Sequence, residues 1–96
     1  MLEINEDNIF TLADDIFLQK IEELGKYWVF NIESGEHYSL NETSHWILEQ
    51  IAANLPMKSI LRNFIDTYDV DKSQAKDDLD ETINKFLEEK FIKRRE

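Results

Sequence analysis

At 96 residues with a hydrophobic share of 42%, the chain can build one core and is too short for two. The absence of cysteine excludes a disulfide frame, a thiolate metal site and a cysteine nucleophile. A net charge of −10 disfavours nucleic acid as a partner, because that binding draws on neutralising phosphates. The opening Met1-Leu2-Glu3-Ile4-Asn5-Glu6-Asp7 has neither a basic region nor an apolar run. No stretch approaches the roughly 18 apolar residues of a membrane span, so a cytoplasmic protein with no membrane partner is expected.

Residues 1–15 are acidic and weakly patterned, with Ile9, Phe10 and Leu12 as possible anchors, and read as an extension that is partly ordered at most. The domain proper is expected over 16–96. Residues 16–21 (Ile-Phe-Leu-Gln-Lys-Ile) alternate as a first strand, and Glu22 to Lys26, with Gly25, reads as a turn. Residues 27–32 (Tyr-Trp-Val-Phe-Asn-Ile) carry the strongest strand signal, being aromatic and β-branched. After Glu33-Ser34-Gly35, residues 36–40 alternate with Tyr38 and Leu40 on one face and His37 and Ser39 on the other. A three-stranded antiparallel meander results.

Helices follow. Asn41 is the expected cap of a helix over 42–53, with Thr43 and Ser44 as alternatives, and Trp46, Ile47 and Ile51 recur at helical spacing. Pro56 opens a second helix over 57–68, carrying Ile60, Leu61, Phe64, Ile65 and Tyr68. Ser73 is the expected cap of a third over 73–89, whose stripe is Ala75, Leu79, Ile83, Phe86 and Leu87. The fold class is therefore α+β, a β-meander followed by a three-helix bundle.

Chemistry finds little support. Asp69-x-Asp71-x-Ser73 with Asp80 at the twelfth position imitates a calcium loop, but Gln74 replaces the required glycine and Asp80 the bidentate glutamate. His37 and His45 lack a third ligand for zinc and read as ordinary half-exposed residues. Ser34, Ser39, Ser44, Ser59 and Ser73 lie in no nucleophile elbow, and no glycine-rich phosphate loop occurs. No catalytic residue, metal or cofactor is expected, and the chain is not expected to be an enzyme. Were the helices a DNA reader, the last should offer bases, yet it presents Asp77, Asp78, Asp80, Glu81, Glu88 and Glu89.

Asn31-Ile32-Glu33-Ser34-Gly35-Glu36-His37-Tyr38-Ser39-Leu40-Asn41-Glu42-Thr43 resembles the Gly-x-x-Tyr-x-Leu-Asn signature of PqqD-like proteins, the peptide chaperones also called RiPP recognition elements. Trp46-Ile47-Leu48 continues the likeness, as do Asp78-Leu79, Ile83, Phe86, Phe91 and Ile92, over about residues 16–93. The sequence departs from the pattern at Lys90, where a glycine is usual, and at Thr82, where a larger apolar residue is common.

The resemblance implies a winged helix-turn-helix-like fold that binds the leader segment of a ribosomally made precursor peptide. It further implies presentation of that peptide to a separate enzyme, such as a radical-SAM enzyme, a leader peptidase or a cyclase. The leader would dock on the third strand beside the third helix. On this chain that assigns Glu36, His37, Tyr38, Ser39 and Leu40 from the strand, and Ala75, Asp78, Leu79, Thr82, Lys85 and Phe86 from the helix. Tyr38, Leu40, Leu79 and Ile83 are expected to be mainly core; His37 and Ser39 are the strand side chains expected to face a ligand. Apolar pockets rather than charge are expected to choose the peptide. The alternative is a winged-helix protein-interaction or DNA-binding regulator. The chain is expected to be a monomer or an edge-strand dimer.

Overall fold

The computed structural model describes residues 5–95. Its strands and α-helices follow in order: β1 (Phe10–Leu12), β2 (Ile16–Ile21), β3 (Lys26–Asn31), β4 (His37–Leu40), α1 (Glu42–Ala52), α2 (Met57–Tyr68), α3 (Lys72–Glu88) and β5 (Ile92–Arg94), with a 3-10 turn at Glu22–Leu24 between β2 and β3. Strands β2, β3 and β4 form the antiparallel meander, with β3 in the middle. The expected strands and helices stand within a residue or so of their sequence positions, because alternation and 3.6-residue periodicity are both strong here. The third strand of the sequence reading is β4.

Two short strands were not anticipated. Phe10–Leu12 pairs antiparallel with Ile92–Arg94, in a separate two-stranded ribbon that joins the two ends of the chain. Phe10 is 1% exposed and belongs to the core. The stretch just before it caps α2, whose Pro56 supplies no side-chain cap: the Met57 N–H donates to the Asn8 carbonyl and the Lys58 N–H to the Glu6 carbonyl, each at 2.9 Å. Two of the amides a helix start leaves without partners are met in this way. A domain beginning at residue 16 therefore omits a strand, a core aromatic and a helix cap; residues 1–4 of the 1–15 extension lie outside the described residues.

The helix starts follow capping chemistry. Asn41 caps α1, its Oδ1 accepting from the Ser44 N–H at 2.7 Å, so β4 passes into α1 through one residue. Asp71, not Ser73, caps α3, accepting from the Gln74 N–H at 2.9 Å; Ser73 lies within the first turn. Of the acids that imitate a calcium loop, Asp71 is thus a helix cap, Asp69 ends α2 and Asp80 pairs with Lys76 at 3.4 Å.

The end of α3 is a Schellman turn. Phe91 N–H donates to the Phe86 carbonyl at 3.0 Å and Lys90 N–H to the Leu87 carbonyl at 3.1 Å, with Lys90 at φ 61°. That left-handed position favours glycine, the residue usual there in the resembling family, and Lys90 adopts it regardless. The turn brings the Phe91 ring to 6.1 Å from Phe86 and 5.4 Å from Tyr38.

The sheet's inner face supplies Ile16 and Val29 to the core, against Ile47, Leu48 and Ile51 of α1 and Leu79, Ile83 and Phe86 of α3. The outer face is free of any covering element among the described residues, and Phe17 on it is 54% exposed. Replacing Phe10 by Ala is expected to cost about 3–5 kcal/mol, as for other buried aromatics. Phe17→Ala should cost less than about 1 kcal/mol. Urea denaturation of both variants checks the contrast, and equal midpoints would contradict the placement of Phe10.

Candidate functional site

Hydrogen-bond parity on the central strand decides what β4 has to offer. Asn31 N–H donates to the Glu36 carbonyl at 2.8 Å, on the β4 side, and Ile32 N–H to the Asp15 carbonyl at 2.9 Å, on the β2 side. Along an antiparallel strand this direction alternates residue by residue, so Val29 and Tyr27 bond toward β4. Their partners across the ladder are Tyr38 and Leu40. Tyr38 and Leu40 thus direct their main-chain groups to β3, and the N–H and C=O of His37 and Ser39 point to the other flank. No strand among the described residues pairs there.

A groove lies beside that flank. Its outer wall is β4, with the His37 and Ser39 side chains toward the sheet's outer face and the His37 ring 5.6 Å from Phe30. On its other side α3 brings Asp78 and Thr82, both half-buried; Lys85, also expected there, is exposed and lies outside the lining of the cavity at the Asn41 end. At the Asn41 end the groove deepens into a cavity of about 240 Å³ lined by Asn41, Thr43, Ser44, Ile47, Phe64, Asp78, Glu81 and Thr82. At the other end the Tyr38 hydroxyl donates to Glu36 Oε2 at 3.0 Å. That bond, with the charge of Glu36, some burial and the charge of Glu89, raises the Tyr38 phenol above its ordinary value.

Several expected site residues take other places. Tyr38, expected in the core, is 39% exposed: it sits on the inner face but at the sheet's edge, where nothing beyond it covers the ring. Leu40 is partly buried against the core. Ala75 and Phe86, assigned to the ligand, are 0% and 3% exposed and belong to the core; Leu79, assigned there too but expected to be mainly core, is 2% exposed. Asp78 Oδ1 accepts from Gln74 Nε2 at 2.9 Å, an i,i+4 bond along the helix surface. Sequence reasoning missed Thr43, Ser44, Phe64 and Glu81, which only the packing of three helices brings to the end of β4; the unusual small polar Thr82 was the one signal of an open space there.

The two histidines lie on opposite sides of the sheet. His45, expected to be half-exposed, is 2% exposed, with its ring 5.2 Å from Tyr27 and Nδ1 3.4 Å from Glu49 Oε1. Its Nε2 is buried without a hydrogen-bond partner. Burial lowers the His45 pKa below 6.5; Glu49 works against that shift and Lys20 with it. The unfolded chain therefore binds a proton more readily than the native one, and the stability contributed by neutral His45 is present above about pH 6.5 and lost as pH falls below it. Replacing His45 by Gln is expected to flatten the decline in urea midpoint between about pH 7 and pH 5. An unchanged slope would show that His45 does not carry the acid sensitivity.

Comparison with known proteins adds three findings. The family model of coenzyme PQQ synthesis protein D (PqqD) matches residues 26–92. The fold is similar to that of TbiB1 in complex with the TbiA(beta) leader peptide, with a TM-score of 0.77 at 13% identity over 86% of this chain and 94% of that one. It is similar also to lasso peptide synthetase B1 complexed with the leader peptide, with a TM-score of 0.75 at 18% identity over 88% and 96%. No curated protein matches the sequence.

Proposed function

The chain belongs to the PqqD family, and on that footing we propose that it is a non-catalytic module that captures the leader segment of a ribosomally synthesised precursor peptide. The peptide adds as a strand to the free flank of β4 and is presented in the cytoplasm to a separate modifying enzyme, such as a radical-SAM enzyme, a leader peptidase or a cyclase. One observation carries the reading: the main-chain groups of His37 and Ser39 face an unpaired flank beside α3. Both proteins of similar fold named above were solved with leader peptides.

The energetics are adequate. Two outward residues, each with one donor and one acceptor, offer four backbone hydrogen bonds, each worth about 0.5–1.5 kcal/mol net. Apolar side chains of the peptide that reach into the groove add about 1.5–3 kcal/mol each when fully buried. Ordering a flexible peptide opposes these gains, so affinity in the micromolar range or somewhat tighter is expected.

The sheet has a second edge, and it suits a peptide less well. On β2 the Ile16 N–H is already bonded to the Ala13 carbonyl at 3.1 Å. Lys20 spans to Glu49 at 3.2 Å and Glu22 at 2.9 Å, a charged closure of the kind that protects edges from pairing. The outer sheet face, with Phe17 and Trp28, stays uncovered when a peptide lies on β4 and leaves room for the enzyme. The acids along α3 stand against a DNA-binding regulator.

Replacing Ser39 by Pro removes one outward donor at an edge, where proline is tolerated, without breaking the β3–β4 ladder. With the leader of a precursor encoded beside this gene as a labelled probe, binding by Ser39→Pro is expected to be at least about tenfold weaker than by Ser39→Ala, at unchanged circular dichroism. Equal binding by the two folded variants would exclude strand addition at β4.

A further inference from the structure

We propose that the Asn41 end of the groove is a specificity pocket for one lysine or arginine of the bound peptide. This rests on the peptide lying along β4, as argued above, and adds what that peptide must carry. The cavity of about 240 Å³ includes Ile47 and Phe64, 1% and 4% exposed, among its lining residues. That space would hold many water molecules, so a long side chain suits it. Asp78 and Glu81 line the same cavity, together with Thr43, Ser44 and Thr82. A long stem ending in a cation matches this mixed lining: the stem packs beside Ile47 and Phe64 and the head pairs with the two carboxylates.

An anionic occupant fits worse. The N-terminus of α1 opens on the same cavity and would favour one, but the Asn41 side chain already takes the Ser44 N–H there, and two carboxylates repel a third. A purely apolar side chain would pack beside Ile47 and Phe64 and leave Asp78 half-desolvated with only Gln74 as its bonded partner. Lys85 lies on the same flank of α3, toward the Tyr38 end, where Glu89 follows one turn on. The net charge of −10 adds a long-range pull on a basic peptide without choosing its residues. The sequence alone points to apolar pockets as the selecting feature; the geometry adds a charged one.

The test is selection from a displayed library of random 12-residue peptides on the immobilised full chain, run in parallel on wild type and on the double variant Asp78→Asn, Glu81→Gln. Both substitutions are isosteric and on α3's flank, so the fold is retained. On wild type, the recovered peptides are expected to share a Lys or Arg at a fixed spacing from apolar positions. On the double variant the apolar pattern should persist and the basic position should vanish. For one recovered peptide, changing that lysine to norleucine should weaken binding to wild type by about tenfold and to the double variant by less than about twofold. Apolar enrichment without a basic position, or equal loss on both proteins, would overturn the pocket's assignment and leave strand addition standing. Recovery of no peptides, or of peptides indifferent to Ser39→Pro, would overturn strand addition and the pocket with it.

Discussion

Among the described residues the flank of β4 is open because the other strand-forming segments are committed elsewhere. Phe10–Leu12 and Ile92–Arg94 pair with each other, and the ribbon is pinned by Ala13 N–H to the Phe91 carbonyl at 2.9 Å and Arg95 N–H to the Ile9 carbonyl at 2.8 Å. The preceding residues are held on α2 by the Met57 and Lys58 amides. An unpaired strand edge recruits whatever backbone is within reach, and the described part of the N-terminal segment is tied where it does not compete. The segments around Phe10–Leu12 and Ile92–Arg94 are thereby kept off the β4 edge.

The same devices shape the groove. Asn41 ends β4 and starts α1 in one step, which sets the α1 start at the mouth of the cavity. The turn through Lys90 folds Phe91 back onto Phe86 and under Tyr38, which floors the opposite end. Between them the half-buried flank of α3 runs beside β4, polar where the rest of that helix's inward stripe is apolar. On the proposed function, backbone recognition would be separated from side-chain selection: β4 would supply hydrogen bonds any peptide can make, and α3 what a particular peptide must match.

Much of this was legible in the sequence. Alternation through Tyr27–Asn31 and His37–Leu40 and the stripe Leu79–Ile83–Phe86 each fix an element and its buried side, and the likeness around Gly35, Tyr38 and Asn41 pointed to the family. What escaped were features of long-range pairing. Strands of three residues, such as Phe10–Leu12 and Ile92–Arg94, carry too little periodicity to be read before their partner is known. Ala75 and His45 were misplaced for a related reason: at a stripe's margin, spacing cannot tell a groove-facing residue from one under a neighbouring helix. Tyr38 alternates like a core residue and is exposed because its strand is last in the sheet.

Amide hydrogen exchange, followed residue by residue with and without saturating peptide, tests the central claim most directly. The Tyr38 and Leu40 amides, bonded to β3, should already exchange slowly in the free protein, while those of His37 and Ser39 exchange fast and become protected when the peptide binds. Bound peptide with His37 and Ser39 still exchanging at their free rates would contradict the account.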